Sequence, residues 1–153
     1  MNKTYLSTLF HHLTLLVVIL SFAACATISS FDQYAYAQTT SLKVDAINTM
    51  SMATGNYSTN EKTVQELQTK LQKAYEYEKN RPKNEITLKM WTILLDSNGH
   101  LLGGFITRWE KEQKLNAVFI QEEKKIVGDA FDQIAGLESR KIKPTDIGVV
   151  TSK

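Results

Sequence analysis

Asn98-Gly99, set between two long apolar runs, constrains this chain more than any other feature. Asn-Gly in such a setting is a strong short-range hairpin signal, because a type I′ turn needs positive φ at both central residues. The pattern predicts antiparallel strands over 86–96 and 101–109. Counting outward from the turn, Ser97 faces His100, Leu95 faces Leu102, Ile93 faces Gly104 and Trp91 faces Ile106. The other face carries Leu88, Met90, Thr92 and Leu94 opposite Trp109, Thr107, Phe105 and Gly103. Both faces are therefore apolar, whereas a half-solvated antiparallel sheet alternates polar and apolar residues. Each face needs a cover: helices, a ligand or another chain.

Helices to supply that cover are found on either side. Ser41–Ala53 predicts a short helix ended by Gly55. Ser58-Thr-Asn-Glu61 fits a capping box, and Val64, Leu67, Leu71, Ala74 and Tyr75 follow at helical spacing until Arg81-Pro82. Beside that stripe, Glu76, Tyr77 and Glu78 read as a solvated helix end. A third helix is expected over Glu122–Ser139, with Ile126, Val127, Ala130, Phe131, Ile134 and Leu137 on its buried face. Leu115–Ile120 reads as a third strand, with the first turn of a helix as its competitor. Ile147–Thr151, beyond Pro144, is a possible edge strand. The expected class is α+β: a small antiparallel sheet packed with about three helices, in one domain over 38–153.

Residues 1–37 have the plan of an export segment. Lys3 precedes an uncharged run from Leu13 to Ile28, and Ala35-Tyr36-Ala37 places small residues where a signal peptidase needs them, with cleavage before Gln38. Two other fates use the same residues. Phe22-Ala23-Ala24-Cys25 resembles a bacterial lipobox, which would acylate Cys25, although Phe22 stands where that pattern has leucine. Alternatively the run is kept as an anchor; as a helix it rises only about 24 Å against a hydrocarbon core of ~30 Å. All three place the domain outside the cytoplasm.

The chain has 153 residues, a net charge of +2 and a single cysteine, Cys25. That charge gives no basic footprint for nucleic acid. One cysteine excludes a disulfide framework, and one at position 25 leaves the domain without a Cys/His zinc site. No cofactor is implied. Asp96, Ser97 and His100 sit near one turn, but adjacent strand residues point to opposite faces, so one imidazole cannot engage both Asp96 and Ser97. Met50 and Met52 suggest Cu(I) ligation only if further sulfurs join them, and core packing explains them better. Gly103-Gly104 is the more informative oddity. Glycines inside a strand mark a bend or a close approach by something else. Trp91, Ile93, Gly103, Gly104 and Phe105 are thus the candidate site for a small, partly apolar ligand.

Trp91-Thr-Ile-Leu-Leu-Asp-Ser-Asn-Gly-His-Leu-Leu-Gly104 resembles the strand–Asp-x-x-Gly–strand hairpin of PAS-like and Cache sensor domains and of profilin-like small-ligand binders. The resemblance implies a small molecule held against an antiparallel sheet flanked by helices, and carries no particular binding residue across. The expected function is an exported, non-enzymatic domain that binds a ligand or acts as a sensor. The alternative is an accessory subunit that docks an apolar sheet face onto a membrane complex, another exported protein or a second copy of itself.

Overall fold

The computed structural model describes residues 29–139 and Ile142, and every described element is helical. Helix α1 spans Gln33–Ser51 and ends in a 3-10 turn, Met52–Thr54. Helix α2 spans Tyr57–Lys79, α3 Glu85–Leu95, α4 Leu102–Glu112 and α5 Ala117–Glu138. No strand occurs among the described residues. The expected α+β class, with its antiparallel sheet over 86–96 and 101–109, is therefore overturned, and with it the resemblance to sheet-based sensor domains. Residues 1–28 of the expected export segment over 1–37, Cys25 among them, and the possible strand at 147–151 lie outside the described residues.

The reason for the error is the period. Counted by two, residues 86–109 are apolar on both faces. Counted by 3.6, Thr87, Trp91 and Leu94 form one buried stripe, and Leu102, Phe105, Ile106 and Trp109 form another. Composition does not decide between the two, because the leucines and methionines that favour helix are matched in number by the β-branched residues that favour strand. Asn98-Gly99 still marks a turn, but one between two helices. Neither residue has positive φ. The Asp96 carboxylate accepts from Asn98 N at 2.9 Å, and the Asp96 carbonyl accepts from Gly99 N at 3.0 Å. This is an Asx-type turn, in which a side chain stands in for backbone.

Residues 115–120 are likewise not a strand. Leu115 is buried in the connection and Asn116 caps α5, accepting from Val118 N at 2.8 Å. The α2 cap also differs from expectation. Asn56 is the N-cap and Ser58 lies inside the helix. The first free amides are met from across the molecule, where Tyr57 N donates to the Gln113 carbonyl at 2.8 Å.

Helix α1 packs mainly against α5 and α2, while α2 and α5 both also meet α3. Ion pairs fix the directions: Lys70 reaches Asp45 from α2 to α1, and Lys43 reaches Asp132 from α1 to α5. With Lys124 also bonded to Ser51, α1 runs antiparallel to α5. The arrangement is an up-and-down bundle in which the third helical length is broken into α3 and α4. At its centre Trp91 stands edge-on to Phe131, with ring centroids 6.0 Å apart, and Tyr57 edge-on to Trp109 at 5.5 Å. Such pairs add to the area that the rings bury. Among the described residues no helix is long and apolar enough to cross a membrane.

Candidate functional site

The break between α3 and α4 opens a groove against α2. One depression of about 200 Å³ is lined by Gln68, Leu71, Gln72, Leu95, Leu102, Gly103 and Ile106. A second, of about 350 Å³, is lined by Gln72, Tyr75, Thr92, Leu95, Asp96 and Ser97. Gln72 and Leu95 border both, so the two adjoin along one groove. Helical spacing produces this layout. Leu71 belongs to the buried stripe of α2, Gln68 and Gln72 flank it one turn apart, and Leu102 and Ile106 are successive turns of α4. The walls are aliphatic and the rim is amide and hydroxyl, with Asp96 the charged lining residue. Thr92 Oγ1 donates to the Leu88 carbonyl at 2.9 Å, so the 3.5 Å contact with Tyr75 has the phenol as donor. The Tyr75 hydrogen is thereby engaged and the Gln72 amide donates to Glu76 at 3.2 Å, so both side chains offer an occupant chiefly their oxygens.

Of the five residues singled out from sequence, Gly103 alone lines this groove. Trp91 and Phe105 are core, the latter stacked on Phe119 with ring centroids 6.1 Å apart. Ile93 is half-buried against that core. Both glycines do mark a close approach, and what approaches is the chain itself. A Cβ on Gly103 would fall on the carbonyls of Leu95 and Asp96, and one on Gly104 on the carbonyl of Gly99. The turn folds over the start of α4, and only hydrogen fits beneath it. Leu95, Leu102 and Ile106, expected together on one apolar face of the hairpin, also line the groove, whereas Gln68 and Gln72 were not legible as lining residues and Leu71 and Tyr75 were visible only as members of a buried stripe. His100 is exposed on the turn, away from any assembled catalytic set, and Met50 is core while Met52 is exposed.

A second constellation closes the end of the bundle away from the α1–α2 junction. Arg81 Nη1 donates to Glu78 and to Glu138, each at 2.7 Å, and Nη2 donates to Ser29 Oγ at 3.1 Å and the Ser30 carbonyl at 3.0 Å. Asp32 lies 3.7 Å from Nε. Glu78 and Glu138 are buried, at 1% and 2% exposure, so on the α2 end expected to be solvated Glu76 and Tyr77 are exposed while Glu78 turns into an ionic core. Asn84 Nδ2 also donates to Glu78, at 2.5 Å. Burial pushes the Glu138 carboxyl above its usual range, against the opposing pull of Arg81. Burial works against the Arg81 charge too, but its bonds to Glu138 and Glu78 prevail and hold it protonated. A guanidinium with its donors occupied in this way ties α2, α5 and the entering chain together; it has little left to offer a substrate.

The expected cleavage point also has a place in the fold. Ala37 and Gln38 lie within α1, Ala37 exposed and Gln38 half-buried, while Ala35 is fully buried. Among the described residues no cluster of histidine, cysteine or carboxylate side chains could hold a metal ion. No family model matches the chain, and neither a curated protein nor a solved structure is similar to it.

Proposed function

We propose that this chain is an exported, non-enzymatic helical domain that binds a small neutral molecule, part apolar and part hydrogen-bonding, in the groove between α2 and the α3–α4 turn. The observation that carries this reading is the lining: aliphatic walls from Leu71, Leu95, Leu102 and Ile106 beneath a rim of Gln68, Gln72, Tyr75, Thr92 and Ser97. Apolar walls with a few placed polar groups are what small-molecule sites have in common. The near absence of charge in the lining disfavours an ionic ligand, which would lose its hydration without a counter-charge. The uncharged run of residues 13–28 supports export.

The test is native mass spectrometry of the domain recovered from its own host, paired with amide NMR against a set of neutral amphiphilic fragments. A bound adduct that is absent from Leu95→Trp, together with shifts centred on Gln72, Leu95 and Ile106, is the expected result. No adduct, and shifts scattered over the surface, would sink the binding reading.

A further inference from the structure

The start of the folded domain lies well before the Ala37–Gln38 bond. Asp32 caps α1, its Oδ1 accepting from Tyr34 N at 2.8 Å and Ala35 N at 3.1 Å. Its Oδ2 accepts from the Tyr77 hydroxyl at 2.6 Å, and the Tyr34 and Tyr77 rings meet with centroids 4.9 Å apart. Ala35 is wholly buried, Ser29 is 8% exposed, and both Ser29 and Ser30 accept from Arg81. Cutting before Gln38 would remove all of this. It would take the first turn of α1 and its cap, strip Arg81 of three partners, and put a cationic amino group at a helix N-terminus, where the dipole disfavours it. Removal of the peptide during export precedes folding, so burial does not protect the bond. The cost falls on the mature domain, which would have to fold without these contacts.

Small residues at the −3 and −1 positions also occur upstream, as Ala24-Cys25-Ala26. Leu13–Phe22 then serves as the apolar core of the leader, within the roughly 7–15 residues such a core uses. We propose that export processing cuts the Ala26–Thr27 bond, so that the mature chain begins two residues before Ser29, keeps the whole Arg81 clasp and carries no cysteine. The proposal rests on the exported reading above.

The direct experiment expresses the full chain in an exporting host and determines the N-terminus and intact mass of the external protein. A start at Thr27 is expected. A start at Gln38, an acylated Cys25 or an uncut Met1 overturns the proposal, and fractionation of the same cells shows separately whether export itself fails. Two variants sharpen it. Ala26→Arg should accumulate as precursor, whereas Ala37→Arg, at an exposed position of α1, should be cut at the wild-type bond; the reverse pattern overturns the assignment. A chain made to begin at Gln38 should melt at least about 5 °C below one that begins at Thr27. Equal melting would remove the reason for moving the site.

Discussion

Where α1 passes into α2, the bundle is closed by neutral groups; at its other end a buried guanidinium gathers three carboxylates. At the first end Leu115 N donates to the Ala53 carbonyl at 2.8 Å and Tyr57 N to the Gln113 carbonyl at 2.8 Å, while the Trp109 indole donates to Gly55 and Gln113 carbonyls at 3.0 and 3.2 Å. At the second, Arg81 binds Glu78 and Glu138 and faces Asp32. The neutral closure has no proton to gain or lose and little to fear from salt. The charged closure is stable only while its charges stay matched, since a buried ion without its partner costs far more than the pair returns. The end that responds to solution conditions is also the end where the chain enters the fold.

Removing the cation should break this contrast most visibly. Arg81→Met leaves Glu78 and Glu138 buried and facing each other, so we expect a loss of about 3–5 kcal/mol in urea unfolding at pH 7. Part of that loss should return as pH falls toward 5. A carboxyl whose folded pKa is raised, as burial raises that of Glu138, destabilises the fold as pH rises through that pKa, and protonation relieves it. A small or pH-independent loss would mean that the clasp is not the charged closure described here.

Trp109→Phe keeps a ring in place and deletes the shared donor of the neutral closure. We expect a cost of about 1–2 kcal/mol, the same at pH 5 and pH 8. Trp91→Phe is its control. The Trp91 indole N–H is buried with no acceptor among the described residues, so its deletion should cost about 1 kcal/mol less than that of Trp109. Equal costs would show that the hydrogen bonds of Trp109 contribute nothing beyond ring volume.

The smallest effect belongs to Asp32→Asn. Asparagine caps a helix as well as aspartate does, so what is lost is the charge in the Tyr77 bond and in the 3.7 Å approach to Arg81, together about 0.5 kcal/mol at a partly exposed site. The hydrogen bonds from Tyr77 and from Ala35 N hold the Asp32 carboxyl below its usual range. A depressed folded pKa gives stability that is complete above the unfolded value of about 3.9 and is lost as pH falls through the folded one. Wild type and variant should therefore converge in acid. A gap that persists below pH 3 would point to geometry rather than charge.

How much of this was legible follows from which signals agreed. The α2 stripe was read correctly: Val64, Leu67, Leu71 and Ala74 are all buried. In α5 the stripe holds from Val127 to Leu137, but Ile126 faces outward at 48% exposure, because the buried arc is centred further round the helix. Residues 86–109 failed because a turn signal and a glycine pair outweighed a helical period. The sign of the error was already present in a hairpin apolar on both faces. For Gly103-Gly104 a bend in a strand and a close approach were both open; the glycines lie in a helix, and the backbone carbonyls of the preceding turn approach them, a contact across a helix break that no local pattern specifies. Asp32 went unread as a cap because its neighbours were assigned to a leader. The Arg81 clasp joins residues up to 57 positions apart in sequence, and no spacing rule reaches that far.

The pairing of α1 with α5 brings the first and last helices of the bundle side by side. A chain that emerges N-terminus first must carry the apolar face of Leu42, Ala46 and Met50 without its main partner until Phe131 and Ile134 have also emerged. Folding of this domain therefore completes only after nearly all of the chain has emerged, and until then α1 is held in place by local contacts alone. Its long-range closure also makes the final docking step slow relative to helix formation.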